Sequence, residues 1–156
     1  MGKNLKIALG SDHGGLELKN QLLGYLQSRG FFVQDCGTHS KEAVDYPRIA
    51  YTVARLVASG TCDRGIVVDG AGIGSAMAAN KVRGVRAAAC YSVALAKNSR
   101  EHNDANVLSM GGRVVAFGLA EEILKVWLAA AFQGGRHAQR LAQLAELEEQ
   151  FGLPGE

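Results

Sequence analysis

From its first residues to beyond position 130, the chain alternates short apolar runs with stretches whose apolar residues recur every three or four positions. That alternation marks βα units building a parallel sheet covered on both faces. The predicted strands are LKIALGSD (5–12), FFVQDCG (31–37), RGIVVDG (64–70), VRAAACY (85–91) and NVLSMGG (106–112). Between the first two, Leu16 to Ser28 carries Leu18, Leu22 and Leu26 on one helical face and is stopped by Arg29-Gly30. A second helix is predicted over Tyr46 to Ala58, with Asp45 as N-cap and Pro47 in the first turn. A third opens in the glycine loop after Asp69, a fourth covers about 92–102, and AFGLAEEILKVWLAAAF supplies a strongly apolar fifth. No linker or repeat breaks the series, so residues 1–156 are expected to form one domain.

Beyond Gly134-Gly135, the segment RHAQRLAQLAELEEQFG spaces Leu141, Leu144, Leu147 and Phe151 near a helical period. No sixth strand follows. This helix, about 135–151, is expected to pack on a neighbouring subunit, and packing on its own domain fits the pattern equally well.

Composition narrows the function. A chain of 156 residues with 47% hydrophobic content can bury one core. A net charge of +2 is too slight to imply nucleic acid. No run approaches the roughly 18–20 apolar residues that span a bilayer, and MGKNLKIALGSD shows neither a signal-peptide pattern nor a myristoylation match. A cytoplasmic protein with no membrane partner is expected. Cys36, Cys62 and Cys90 are odd in number and lack CxxC spacing, which argues for reduced thiols rather than a disulfide framework or a metal site.

Ligands of parallel α/β domains bind outside the carboxyl ends of the strands. The candidates there are Asp12-His13, Cys36 to Thr38, Asp69 to Ser75, Ser92, and Gly111 to Arg113. The stretch GIVVDGAGIGSAMAANK leads from a strand through Gly70, Gly72 and Gly74 into a helix, with Asp69 at the join. It lacks the third glycine of GxGxxG, the next strand ends in Tyr91 rather than an acidic ribose ligand, and no GKS or GKT completes a P-loop. Its glycines let backbone N–H groups face a concavity at a helix N-terminus, suited to a bound phosphate or to an oxyanion formed during reaction. A carboxylate repels a permanent phosphate but can be the base that creates a transient enediolate. The reading in which Asp69 only caps loop amides stays equally open.

Other polar clusters add to this. SREHNDAN (99–106) concentrates hydrogen-bonding groups, with His102 and Asn103 adjacent, where the fourth helix ends. Arg113 follows the fifth strand, and Arg136 and Arg140 lie one helical turn apart. Three arginines beside glycines or strand ends suggest a pocket for a doubly charged phosphate.

GSDHGG, CGT followed by DYP, GAGIGSAMAANK, SREHNDANVL, GGRVV and GGRHAQR stand in an order and spacing that resemble type B ribose-5-phosphate isomerases and the related galactose-6-phosphate isomerase subunits, over essentially the whole chain. The resemblance implies a Rossmann-like three-layer α/β/α sandwich with a five-stranded parallel sheet and an extra C-terminal helix. It further implies aldose-ketose isomerisation of a sugar phosphate without metal or organic cofactor, and a homodimer, alone or as a dimer of dimers, with active sites shared between subunits. Carried over by position, Asp12 helps ring opening, His13 and Tyr46 line the sugar, and the amides of Gly70, Ala71, Gly72, Ile73 and Gly74 form the anion hole. His102, as ring-opening acid/base, and Asn103 reach in from the partner, and Arg113, Arg136 and Arg140 grip the phosphate.

The chain departs from the family pattern where many members carry a cysteine base, here Asp69, and where another branch uses a glutamate, here Ser75. Ala71 also replaces a common Thr or Ser. Asp69 is the natural substitute base, although helix-terminal amides weaken a carboxylate in that role while burial strengthens it. Ser75 is the lesser candidate, since a hydroxyl with no base beside it cannot take a carbon-bound proton. Ribose 5-phosphate and ribulose 5-phosphate are the leading substrate pair. Another pentose or hexose phosphate and a non-catalytic sugar-phosphate binder are the alternatives.

Overall fold

The structure, a computed structural model, describes residues 4–151. The expectations placed on the first three and last five residues, including the outer limits of the domain, lie outside that range. Five strands, β1 (Lys6–Ser11), β2 (Phe32–Asp35), β3 (Arg64–Asp69), β4 (Ala87–Ala89) and β5 (Val107–Gly111), form one parallel sheet in the order β2-β1-β3-β5-β4. The helices are α1 (Leu16–Ser28), α2 (Tyr46–Ala58), α3 (Ile73–Ala79), α4 (Val93–Glu101), α5 (Phe117–Ala129) and α6 (Arg136–Phe151), with a 3-10 turn at His13–Gly15 before α1. Among the described residues no helix is long and apolar enough to cross a membrane.

The two-residue period of a strand sorts the core into two layers. Ile7, Leu9, Ile66, Val68, Leu108 and Met110 face α1, α4 and α5, where Leu22, Leu26, Ile123, Leu124 and Trp127 are fully buried. Ala8, Val67 and Val107 face α2 and α3, meeting Ala50, Val53, Ala54 and Ala79. Helix α2 lies close to the sheet because the strands offer small residues there: a Cβ on Gly65 would stand 2.7 Å from Val53 Cγ1. The result is the expected three-layer sandwich.

Three local expectations are corrected. The two edge strands, each paired on one side only, are shorter than the seven residues expected: β2 has four, paired with β1, and β4 has three, paired with β5. The outer side of β4 is capped at Ala87, whose C=O and N–H meet the Asn80 side chain at 2.9 and 2.7 Å. Asp45 stands at the N-cap of α2, but its side chain makes no capping bond.

The order of strands reverses between β1 and β3, which opens a crevice beyond their carboxyl ends. Asp12 closes one side of that crevice and Asp69 begins the other.

Candidate active site

Strand β3 ends at Asp69, which is 4% exposed, and the chain crosses Gly70, Ala71 and Gly72 to enter α3. Gly72 sits at φ +81°, a left-handed conformation open to glycine at no steric cost. The carbonyls of this loop are held one by one. Asp69 O accepts from Gly112 N at 2.7 Å, and Gly70 O from Arg113 N at 3.0 Å. The Tyr91 hydroxyl donates to Ala71 O at 2.6 Å, and Ser109 Oγ donates to Gly72 O at 2.6 Å.

The Asp69 carboxylate turns back under the same loop. Oδ1 accepts from Ala71 N at 3.0 Å and from Gly72 N, and Oδ2 accepts from Ser75 N at 2.9 Å. Of the two readings of Asp69 that the sequence left open, the capping of loop amides is present in the structure, and the loop has fewer open amides than expected. Asp69 is not a free carboxylate: with two acceptor positions on each oxygen, only one, on Oδ2, is left open. The anion hole does not run evenly over 70–74 either, because Ala71 and Gly72 have committed their amides to Asp69. The N–H groups of Gly70, Ile73 and Gly74 meet no protein acceptor among the described residues. Ser75 is buried and serves the loop through its backbone.

Asp12, His13, Tyr46 and Arg113 gather around this loop. Asp12 caps the turn after β1, its Oδ1 accepting from Gly15 N at 3.1 Å. A Cβ on Gly14 would lie 3.3 Å from both Asp12 Oδ1 and Gly70 N, so the carboxylate and the free amide share one wall. His13 Nδ1 lies 3.2 Å from Val44 N and 3.3 Å from Val44 O, tying the turn to the approach to α2. The first residue of α2, Tyr46, covers Gly74, where a Cβ would stand 2.4 Å from its ring Cζ. The Arg113 side chain lies over Gly70, with Cδ 3.6 Å from a Cβ built there.

The other predicted residues are elsewhere in the chain. Helix α4 runs back along the sheet, so His102 and Asn103, at its end, lie by the amino end of β5. Gly111, at the other end of β5, pairs with Asp69. At about 3.3 Å per residue, roughly 13 Å of strand separates Val107 from Gly111. Arg136 and Arg140 begin α6, which starts beside His102: the rings of His102 and His137 stack with centroids 4.1 Å apart and planes 10° apart. One chain therefore brings together Asp12, His13, Tyr46, the loop and Arg113 in one group, and His102, Asn103, Arg136 and Arg140 in another.

The second group rests on motif residues whose work is structural. The Arg100 guanidinium bonds Asp104 Oδ1 at 2.8 Å and Ala105 O at 2.7 Å, and the Asn106 side chain joins Arg86 N to Gly84 O. These bonds fix the turn that presents His102 and Asn103. Asn98, one helical turn before His102, places its Nδ2 2.9 Å from His102 Nδ1 and accepts from Asn103 Nδ2 at 3.3 Å. Burial first, then His102, Arg136 and Arg140, holds the His137 imidazole below its usual value.

Tyr91, Ser109, Asn98 and His137 escaped the sequence reading as site residues. His137 lies inside the quoted GGRHAQR motif, and Asn98 stands at i−4 from His102, so both were findable. Ser109 and Tyr91 act on loop carbonyls across the sheet, a contact that no local spacing reveals. Burial, with smaller contributions from Cys62 and Asp35, pushes the Cys36 thiol up to about 11, and burial raises Cys62 and Cys90 as well.

A helix-opening loop with unclaimed amides, a carboxylate on each side and an arginine overhead, at the switch point of a parallel sheet, is the arrangement of an α/β protein that takes an anionic ligand. The family model for Ribose/Galactose Isomerase matches residues 7–144. The chain belongs to that family and is an aldose-ketose isomerase acting on sugar phosphates. It is 46% identical to ribose-5-phosphate isomerase B of Escherichia coli over 144 residues, covering 92% of this chain and 97% of that protein. It is 40% identical to a D-erythrulose-4-phosphate isomerase of Pectobacterium atrosepticum, over 94% and 97% of the two chains. The solved ribose-5-phosphate isomerase B of Clostridium thermocellum superposes with a TM-score of 0.93 at 52% identity, covering 94% of this chain and 99% of that one.

Proposed function

We propose that this protein interconverts ribose 5-phosphate and ribulose 5-phosphate through a cis-enediolate, in a homodimer whose two sites each draw on both subunits. The observation that carries the reading is the loop after β3, where the N–H groups of Gly70, Ile73 and Gly74 stay open beside the Asp69 carboxylate. Water exclusion strengthens such donors toward a charge that appears only during reaction. Asp69 enters as proton acceptor through the Oδ2 position that Ser75 N leaves free. Asp12 assists ring opening, His13 and Tyr46 bound the sugar, and Arg113 begins the phosphate site.

Support for sharing comes from the separation of the two groups. The His102 group contains the ring-opening histidine, Asn103 and two phosphate-binding arginines, yet sits at the far edge of its own sheet. A partner placing it against the crevice completes both sites at once. Exposed apolar side chains surround the loop, including Ile73, Met77 and Val114, and α6 leaves Leu144, Leu147 and Phe151 uncovered. These are surfaces that a second copy would cover.

A second reading keeps the chemistry and changes the sugar. It is favoured by Ala71, which presents no hydroxyl in the loop, and by the relative that acts on a four-carbon phosphate. A panel of four-, five- and six-carbon sugar phosphates followed by proton NMR in heavy water tests both. Ribose 5-phosphate is expected to lose its C2 proton signal and accumulate ketose faster than any other member. Faster exchange of another sugar transfers the assignment to it, and binding shifts without exchange of any sugar overturn the enzymatic reading.

A further inference from the structure

A trans peptide unit points its C=O and its N–H in opposite directions, so whatever holds a carbonyl also aims the amide that follows it. Two of the open amides are aimed in this way. Gly112 N holds Asp69 O, which directs Gly70 N–H away from β5, and Ser109 Oγ holds Gly72 O, which directs Ile73 N–H away from the sheet. Between them, the 71–72 peptide is clamped from both sides, by the Tyr91 hydroxyl on Ala71 O and by the Asp69 carboxylate on Gly72 N.

We propose that Ser109 and Tyr91 are positioning residues of the isomerase reaction: their hydroxyls set the peptide planes of the glycine loop so that its free amides face the developing enediolate. This rests on the isomerase reading given above. Ser109 is fully buried on β5, and the structure gives its hydroxyl one protein acceptor, Gly72 O. Gly72 and Ala71 leave no room to relax inward, because a Cβ on Gly111 would stand 2.6 Å from the Ala71 carbonyl carbon and one on Gly72 2.8 Å from the Met110 carbonyl carbon. The freedom that remains is rotation of the 72–73 peptide about the left-handed Gly72. Rotation would bring a carbonyl into the hollow in place of the Ile73 N–H and set two negative oxygens against each other. Ser109 blocks it. Tyr91 keeps its proton for this purpose: burial first, then the Asp69 and Cys90 charges, raises it above the usual phenol value.

The test compares two probes. One is a four-carbon phosphorylated hydroxamate, planar and anionic where the enediolate would be. The other is ribitol 5-phosphate, which offers the phosphate but no oxyanion. Ser109→Ala is expected to lower kcat by about 10–100-fold at unchanged KM, less than the roughly 10²–10³-fold cost of removing an oxyanion-hole donor, because the amide is misaimed and not lost. It should weaken the hydroxamate by a similar factor while leaving ribitol 5-phosphate bound as before. Ser109→Thr, which keeps the hydroxyl, should recover most of the loss, and Tyr91→Phe, on a partly exposed side chain, should lose about tenfold in kcat. An alanine variant within twofold of wild type in kcat, or one that weakens both probes alike, overturns the proposal and leaves the isomerase reading standing. Wild type that neither turns over sugar phosphates nor prefers the hydroxamate to the alditol phosphate overturns both.

Discussion

Asp69→Asn is the perturbation that bears most directly on the chemistry, because the proposed mechanism adds a second role to the one Asp69 has in the loop. As a loop anchor, its carboxylate accepts from Ala71 N and Gly72 N on Oδ1 and from Ser75 N on Oδ2. An asparagine keeps an oxygen over the first pair but turns an NH2 toward the Ser75 N–H. One charge-assisted bond is lost and two become neutral, a destabilisation of about 2.5–7 kcal/mol when such bonds contribute about 1.5–3 kcal/mol each and neutral ones about 1 kcal/mol. As a proton acceptor, its loss costs a further factor of about 10²–10⁴ in rate. Turnover of ribose 5-phosphate deuterated at C2, read as loss of label and ketose formation, is therefore expected to fall at least about 10²-fold in kcat. The affinity for ribitol 5-phosphate should stay nearly intact, since the arginine side of the site is untouched. Asp69→Cys separates the roles: a thiolate can take the proton but cannot span Ala71 N and Ser75 N. That variant should recover part of the activity and gain rate with pH through the ordinary thiol value near 8.5. If Asp69→Asn keeps kcat within about tenfold, or roughly 1.4 kcal/mol, no proton acceptor has been removed, and Asp69 serves the loop alone.

Inactive His102→Ala and inactive Asp69→Asn chains, mixed and reassembled, should regain about a quarter of wild-type activity, because half the dimers are mixed and each has one intact site; no recovery refutes the shared site. Lys19→Met should cost about 3 kcal/mol in urea unfolding, because the fully buried ammonium bridges Asp35 at 2.8 Å and Thr38 O at 2.8 Å and its removal strands the part-buried carboxylate. In wild type, burial pushes the Asp35 carboxyl up, but Lys19, Gly37 N and His39 together hold it below the usual value. Its contribution is thus present above about pH 4 and lost as pH falls through its folded value, and this acid loss should shrink in Lys19→Met. His137, held below the usual imidazole value, binds its proton more readily in the unfolded chain, so stability should decline as pH falls from about 6.5, and His137→Gln should flatten that decline in pH-dependent unfolding.

Most of the architecture was legible because buried parallel strands and amphipathic helices write different periods. Leu16–Ser28 and Tyr46–Ala58 begin and end where Leu spacing, Pro47 and Gly30 put them. β4 was overdrawn because Val85 and Arg86 carry the same β-forming signal as a strand, while its length is decided by its place at the sheet edge, a tertiary fact. At the site, residues following strands were found because topology alone delivers Asp12, Asp69 and Arg113 to one edge. The direction of the Asp69 carboxylate was not legible: a three-residue crossing into a helix lets the side chain face either the hollow or the loop amides, and those amides won. Tyr91 and Ser109 were missed for a related reason. Ser109 sits in the middle of β5 and Tyr91 just beyond β4, and only the pairing of β3 with β5 and β5 with β4 sets their hydroxyls beside Ala71 and Gly72.

The same topology explains why one copy of the fold holds the proposed site residues in two separate groups. In a parallel sheet every helix returns the chain to the amino edge, so a residue at a helix end is carried away from the crevice in its own subunit. His102 is held there firmly, by the Arg100–Asp104 turn beneath it, Asn98 on one nitrogen and the His137 ring against its face. A histidine left idle at the surface would need none of these supports. If Asn98 Nδ2 donates to His102 Nδ1, the neutral ring carries its proton on Nε2, and in the proposed dimer that N–H is the donor offered to a sugar oxygen. In the proposed dimer each half is thus shaped before it meets the other, the glycine loop for the anion and the histidine for the ring oxygen, and assembly has only to bring them within reach.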